Sequence, residues 1–544
     1  MPTLPAGLVA AALILYFHFV SIRLPLNNIS NFLYKLGMGK FKSWIQGSSA
    51  GSSRPATTEE KKLNRRSFSG ITQLKPKREI ENHLGTEEQN IGSKVATETK
   101  LETLVDSRLI HLAKIISTES NKLDSYCKSQ GLAPPSFDAD APQDFPKLPD
   151  DIQKSRREII FAANELSSLV RGPRESVRWG VWGFLDSLTL QIINHYGIAA
   201  LVPATGTISF AELQSKTSLD AINLARIMRH AMTNHIFCEP TPGTIAHTAL
   251  SRCLADDDAL QNWIGFNSED IFPASANVLK SLQAYPEATS LTTTGFNFAF
   301  DTVNKEPMFV TFGKNPKAAK RMGAAMASLT GGEGYEVHHF VDNYDLADID
   351  QNNGTFVDIG GSHGFVCVDL AKKWKNIKFI VQDLPKTVES APSPISEDDA
   401  VASRITLQAH DFFKEQPVKG ADVYFFRWII HNYSTPYATS ILKRLIPSLK
   451  PGARIVINDH CFRQPGAENP WDEKLMRGMD MIMLTLLNAQ ERDEAEFKAL
   501  FAAADPRFKF QGVTRAQGCR MSVVEAVWDP EQNSTPSKVR ELEL

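Results

Sequence analysis

The stretch "TFVDIGGSHGF", Thr355 to Phe365, decides how the rest of the chain is read. An apolar run, Phe356 to Ile359, carries one acid, Asp358, and then breaks into Gly360, Gly361 and Gly364. A buried strand feeding a glycine turn and then a helix is written this way, and such a turn lets backbone approach a nucleotide closely. Started at Gly360, the dinucleotide pattern G-x-G-x-x-G fails at its third position. The pattern D-x-G-x-G-x-G fits better, with Asp358, Gly360 and Gly364 in place and Ser362 at the middle glycine. Its acid lies on the strand before the turn, which suits a ligand carrying an ammonium group, not a pyrophosphate.

Around this turn the rhythm is α/β. "TFVDIG", "KFIVQDL", "ADVYFFRWI" and "ARIVINDH" are four strand-like runs, spaced for βαβ units and a parallel sheet. In "VQDLP", Asp383 stands at a strand's carboxyl end, where an acid can accept both ribose hydroxyls. In "AHDFF", Asp411 offers an acceptor for an adenine amino group, next to the aromatic faces of Phe412 and Phe413. Each acid alone reads equally well as a surface residue at a strand end. All three in order, on successive strands, make S-adenosylmethionine the ligand that fits best.

Upstream, the chain reads as helical. "LETLVDSRLIHLAKIISTESNKLDSYCKS" and "IQKSRREIIFAANELSSLVRG" carry apolar residues at threes and fours, separated by a Pro/Asp-rich connector, Pro134 to Asp151. "FLDSLTLQIINHYGIAALV" is another amphipathic helix. The next segment, from Ile208, reads helix, turn, helix, short hairpin, which is the winged-helix plan. Its recognition helix, Leu219 to Ile236, holds two arginines, Arg226 and Arg229, among Ala, Ile, Leu and Met. That face suits packing or dimerisation, not phosphate contact. The net charge of −3 likewise gives no electrostatic reason to expect nucleic acid.

At 544 residues the chain calls for two or three folded units plus extensions. Leu4 to Ile22 is an uncharged, hydrophobic segment with no basic residue before it, and Arg23, Lys35, Lys40 and Lys42 follow. This pattern predicts an N-terminal membrane anchor over residues 1–27 with the remainder facing the cytosol. A Ser/Gly/Lys/Glu-rich stretch within 28–100 reads as a disordered tether. The expected division continues with a helical domain over 101–330, a cofactor-binding domain over 331–530 and a tail over 531–544. The six cysteines lie far apart, without CxxC or HExxH spacing, so reduced thiols are expected and neither a zinc site nor a disulfide framework.

Together, Asp358 to Gly364, Gln382 to Pro385, His410 to Phe413, "RWIIHNYS" and "QERDEAEF" resemble the S-adenosylmethionine-dependent O-methyltransferases of the caffeic-acid type, in the fungal polyketide (sterigmatocystin-type) branch. The resemblance covers about residues 101 to 530. It implies a Rossmann-like α/β methyltransferase domain preceded by a mainly helical, winged-helix-like dimerisation domain, and a homodimer. It also implies methyl transfer to a phenolic hydroxyl of a small aromatic, polyketide-derived compound. An alternative retains the cofactor for a pericyclic or dehydration step.

In this resemblance His431 is the general base, where an isolated histidine after an apolar run otherwise reads as a satisfied core group. The chemistry needs such a group, because a phenol of pKa about 10 is a poor nucleophile at neutral pH and an imidazole of about 6.5 can take its proton. The resemblance makes Asp459 and Glu491 the acids that orient His431, with no metal in the reaction. Asp459 stands where plant members carry Glu, and Asn432, after the base, stands where many relatives have Asp. Arg427 matches a basic residue near the methionine end of the cofactor. Met326 in "RMGAAMASL" and Met483 in "MDMIMLTLLN" match substrate-facing positions, although core packing explains them equally well.

Overall fold

The computed structural model describes residues 106–531, so the expected anchor, the tether and nearly all of the tail lie outside the described residues. The principal helices begin with α1 (Arg108–Ser129) and α2 (Asp150–Arg171). They run in opposite directions. Arg108 at the start of α1 meets Glu165 late in α2, while Leu123 and Cys127 pack on Ile152 at the other end.

The winged-helix segment follows α3 (Phe184–His195) and is built from α4 (Phe210–Ser215) and α5 (Ala221–Thr233). Local chemistry sets their starts. Ser209 and Glu212 form a reciprocal capping box, and Asp220 accepts the amides of Ile222 and Asn223. Leu213, Leu224, Met228, Phe237 and Ile245 fill the core beneath. The expected hairpin is reduced to one bridge, Cys238 to Ala246, because Thr244–Ile245 pairs back to Ile208–Ser209. Arg229 is engaged inside this unit, bonded to Glu239 at 2.9 and 3.0 Å and lying over Phe210.

After α6 (Pro316–Thr330) comes a seven-stranded sheet of β1 (Thr355–Ile359), β2 (Lys378–Asp383), β3 (Ile405–Ala409), β4 (Val423–Arg427), β5 (Arg454–Asp459), β6 (Phe508–Thr514) and β7 (Ser522–Trp528). Its spatial order is β6-β7-β5-β4-β1-β2-β3. The first five strands are parallel, and β7 is antiparallel to both β5 and β6. The connecting helices include α7 (Phe365–Lys373), α8 (Thr435–Leu445), α9 (Pro470–Leu487) and α10 (Glu494–Ala504).

Side-chain alternation explains why the sheet is covered on both sides. Val357 and Ile359 of β1, Tyr424 and Phe426 of β4, and Ile455 and Ile457 of β5 join one core. Phe356, Val423, Phe425 and Val456 join the other. Strands buried on both faces read as continuous apolar runs, which is how β1, β4 and β5 announced themselves. Each such large side chain contributes roughly 1.5–3 kcal/mol through burial. Strand β3 and the β6–β7 pair were absent from the four runs. The sequence "ITLQA" is short and half polar, and the edge pair is solvated on one face.

Candidate active site

Strand order reverses direction between β1 and β4, and in open α/β sheets the crevice at that point is where ligands bind. The opening glycine turn lies there. Gly360 and Gly361 both donate to the Gln382 carbonyl, at 2.8 and 3.1 Å, which ties the turn to the end of β2. A Cβ on Gly360 would stand 2.5 Å from Ile429 Cδ1, and Gly360 and Gly364 adopt φ of 77° and 76°. Ser362, at the middle position, takes φ 51°, the left-handed conformation a glycine would adopt more cheaply. Its amide donates to Asp383 Oδ2 at 2.9 Å, which fixes the turn in that shape.

The acids are arranged by depth. Asp358 is fully buried beneath the turn, so close to Gly361 that a Cβ there would collide with its carboxylate. Burial pushes its carboxyl up to about 7, against the hydrogen bond from the Cys367 thiol at 3.6 Å. A cation brought to the turn would favour the ionised form. Asp383 is half-buried at the end of β2, and its two oxygens accept the amides of Ser362 and Leu384. Asp411, beyond β3, accepts the Phe413 amide at 3.0 Å, and Phe412 reaches within 3.8 Å of the site a Gly360 Cβ would occupy. A glycine cradle, a buried acid and two strand-end acids with aromatic rings therefore fit an adenosine ligand with a cationic tail.

Across the crevice, β4 is followed by Trp428, whose φ of 56° is unusual for so bulky a residue. That turn starts the loop bearing His431. The histidine is buried, its Nδ1 lies 2.8 Å from Glu491 Oε1, and its backbone amide donates to Asp459 Oδ2 at 2.9 Å. Glu491 therefore orients the ring, while Asp459 holds the backbone. Burial disfavours the imidazolium, but the Glu491 charge outweighs it and His431 lies above its ordinary range. Burial pushes Glu491 up in turn, yet His431 and His460 draw it down to about 2. The pair is an ionised carboxylate against a strengthened imidazole.

Several supporting residues escaped the sequence reading. Buried Arg492 donates to the carbonyls of Ile430 and Tyr433, at 3.2 and 2.8 Å, which closes the loop around His431. Trp428 packs against both His431 and His460, and Tyr335 against Trp428 and His460. Trp428 and Arg492 stand inside the stretches "RWIIHNYS" and "QERDEAEF", but their roles lie in neighbours that the sequence does not place beside them. Arg427 is buried, with its guanidinium bonded to Asn458 Oδ1 and to the Tyr335 carbonyl at 2.6 Å. Met483 belongs to the main core, and Met326 is partly exposed on α6. Among the described residues no cluster of His, Cys, Asp and Glu forms a metal site.

A glycine turn at the switch point, acids at the ends of three successive parallel strands, and an antiparallel β6–β7 edge define a methyltransferase that uses S-adenosylmethionine. Comparison narrows the class. Residues 293–506 match the O-methyltransferase domain family model. The chlorophenol O-methyltransferase of Trichoderma longibrachiatum is 64% identical over 78% of this chain and 91% of its own length. The O-methyltransferase gsfB of Penicillium aethiopicum is 36% identical over 78% and 99%. Among solved structures, OxaC in complex with SAH and oxaline superposes with a TM-score of 0.62 at 23% identity, covering 78% of this chain and 100% of that one. The chain belongs to this O-methyltransferase family.

Proposed function

We propose that the enzyme methylates the hydroxyl of small phenols, with His431 as general base and Glu491 and Asp459 as its positioning acids. The observation that carries this reading is the buried His431–Glu491 contact at 2.8 Å. An ionised Glu491 accepts only, so Nδ1 carries the hydrogen and Nε2 keeps the lone pair that receives the phenolic proton. Asp358, Asp383, Asp411, Phe412, Gly360 and Gly364 hold the cofactor, with Arg427 bracing the β4 end of its site. S-adenosylmethionine, when bound, supplies the methyl group from a sulfonium centre. His431 removes the proton as the phenol oxygen becomes nucleophilic, and the imidazolium so formed is stabilised by Glu491.

The 64% relative supports chlorinated phenols as the first substrates to try, with polyketide-derived phenols second. Chlorine withdraws electron density and makes a phenol more acidic, so such substrates ask less of the base. Met326 and Met483 are proposed to flank the ring. Transfer of label from S-adenosylmethionine to a phenol panel, by wild type and His431→Ala, tests the reading. We expect transfer by the wild type and a loss of about 10²–10⁴-fold in the variant. Cofactor binding without label transfer would favour the pericyclic or dehydration alternative.

Two features outside the chemistry belong to the same reading. A second copy of the chain is proposed to cover the helical domain (101–330), where Val177, Val181, Trp182 and Phe184 are exposed within a few turns of one another. Leu4–Ile22 is proposed to tether residues 28–544 to a membrane from the cytosolic side. Among the described residues no helix is long and apolar enough to cross one. Fractionation of the full chain against a chain starting at Leu101 tests the tether, and equal solubility of the two would overturn it.

A further inference from the structure

His460 follows Asp459 at the end of β5 and is fully buried. Neither ring nitrogen has a hydrogen-bond partner among the described residues. Two imidazole nitrogens this deeply buried without a protein partner are costly, since buried polar groups are ordinarily satisfied. Nδ1 lies 3.4 Å from Glu491 Oε1, the same oxygen that faces His431 Nδ1 at 2.8 Å. Trp428 packs on both imidazoles, with ring centroids 4.8 Å from His431 and 5.0 Å from His460. Tyr335 backs His460 at 5.7 Å. Two histidines thus converge on one carboxylate oxygen, with an indole packed against both.

We propose that His460 is a positioning residue that acts through Glu491, taking a share of its charge and thereby tempering the basicity of His431. This rests on the reading of His431 as general base. As Nδ1–H of His460 turns toward Oε1, the carboxylate has less negative charge to spend on His431. A neutral or a protonated His460 works in the same direction, since each draws on the same oxygen. The other charged groups around the pair are Asp459 on β5, Arg492 beside Glu491, and Asp480 on α9, whose Oδ1 accepts the Glu491 amide at 2.8 Å. All of them remain when His460 is replaced, so the effect of the replacement isolates this one contact.

The test is the pH profile of kcat/KM for a weakly acidic phenol, measured for wild type, His460→Phe, His460→Leu and His460→Asn. Phe and Leu keep the apolar contact with Trp428 and remove both nitrogens, while Asn restores a donor near Nδ1. Glu491 then leans fully on His431, so the acid limb of the Phe and Leu variants is expected to move up by about half a unit. Their rate falls near pH 7 and returns to the wild-type plateau at high pH, whereas Asn leaves the limb in place. An acid limb that stays or moves down in both deletion variants overturns the proposal. Loss of folding by both overturns it too, since that would make the role structural. His431→Ala is run alongside: near-full activity there would sink the base assignment itself, an outcome distinct from an unmoved limb in the His460 series.

Discussion

At the residue scale, Asp358 carries the clearest conflict between stability and function. A carboxyl raised to about 7 in the fold, against about 3.9 in an unfolded chain, makes the folded state lose stability as pH rises from 4 to 7. Asp358→Asn removes that cost. The cofactor-free variant should therefore melt several degrees above wild type at pH 8, with the gain shrinking toward pH 4. Its melting rise on adding S-adenosylmethionine should shrink at the same time, because the buried charge proposed to face the cofactor's cationic end is gone. Thermal melts at both pH values, with and without cofactor, check this; an equal cofactor response would remove Asp358 from the binding site. Asp358, Asp383, Asp411 and His431 stand out as candidates in the sequence because each lies at a strand end or loop beside a local pattern. His460 was not, because a histidine beside a strand-end acid says nothing until its distance to Glu491 is known.

At the scale of elements, the β4–α8 loop is held from outside. The loop owes its shape to Arg492, which arrives from the segment after α9 and takes up the carbonyls of Ile430 and Tyr433. Arg492→Met would take the side-chain donor from the Tyr433 carbonyl, at about 1–3 kcal/mol, while the Ile430 carbonyl keeps the Tyr433 amide at 3.2 Å. We expect a lower urea midpoint with unchanged m-value, and faster amide exchange over 429–433 than over β1. Exchange unchanged in that loop would mean the guanidinium is not what closes it. Strands β1, β4 and β5 are visible as apolar runs because both of their faces are buried, whereas the parallel edge strand β3 is not. β7 was missed although "SVVEAVW" alternates in its burial along the whole strand. The residue types do not follow that alternation, since Ser522 is buried while Val523 and Val527 are only partly so, and the strand therefore carries no period-two pattern of its own.

At the scale of the whole molecule, the helical half and the sheet meet through charged contacts that no local pattern foretells. Arg157 of α2 and Arg520 both pair with Asp472 at the start of α9, and Arg156 pairs with Glu333 ahead of Tyr335. The helical order was legible from its periodicity, but this docking was not, since its partners lie 48 to 315 residues apart. The exposed Trp182 and Val181 carry the expectation for assembly. Trp182→Glu combined with Val181→Glu should convert a dimer to a monomer by light scattering, with β1 to β7 still folded by circular dichroism. A wild-type chain already monomeric at micromolar concentration would contradict the dimer.

The central claim is that His431, strengthened by Glu491, takes the proton of the substrate hydroxyl. Its most direct test is the rate of wild type divided by that of His431→Ala across phenols of graded acidity at one pH. A base matters most where the proton is hardest to lose. The ratio should therefore be large for phenols with pKa near 10 and fall steadily toward one as they become acidic enough to arrive ionised. A ratio that stays constant across the series would show that His431 contributes something other than proton removal.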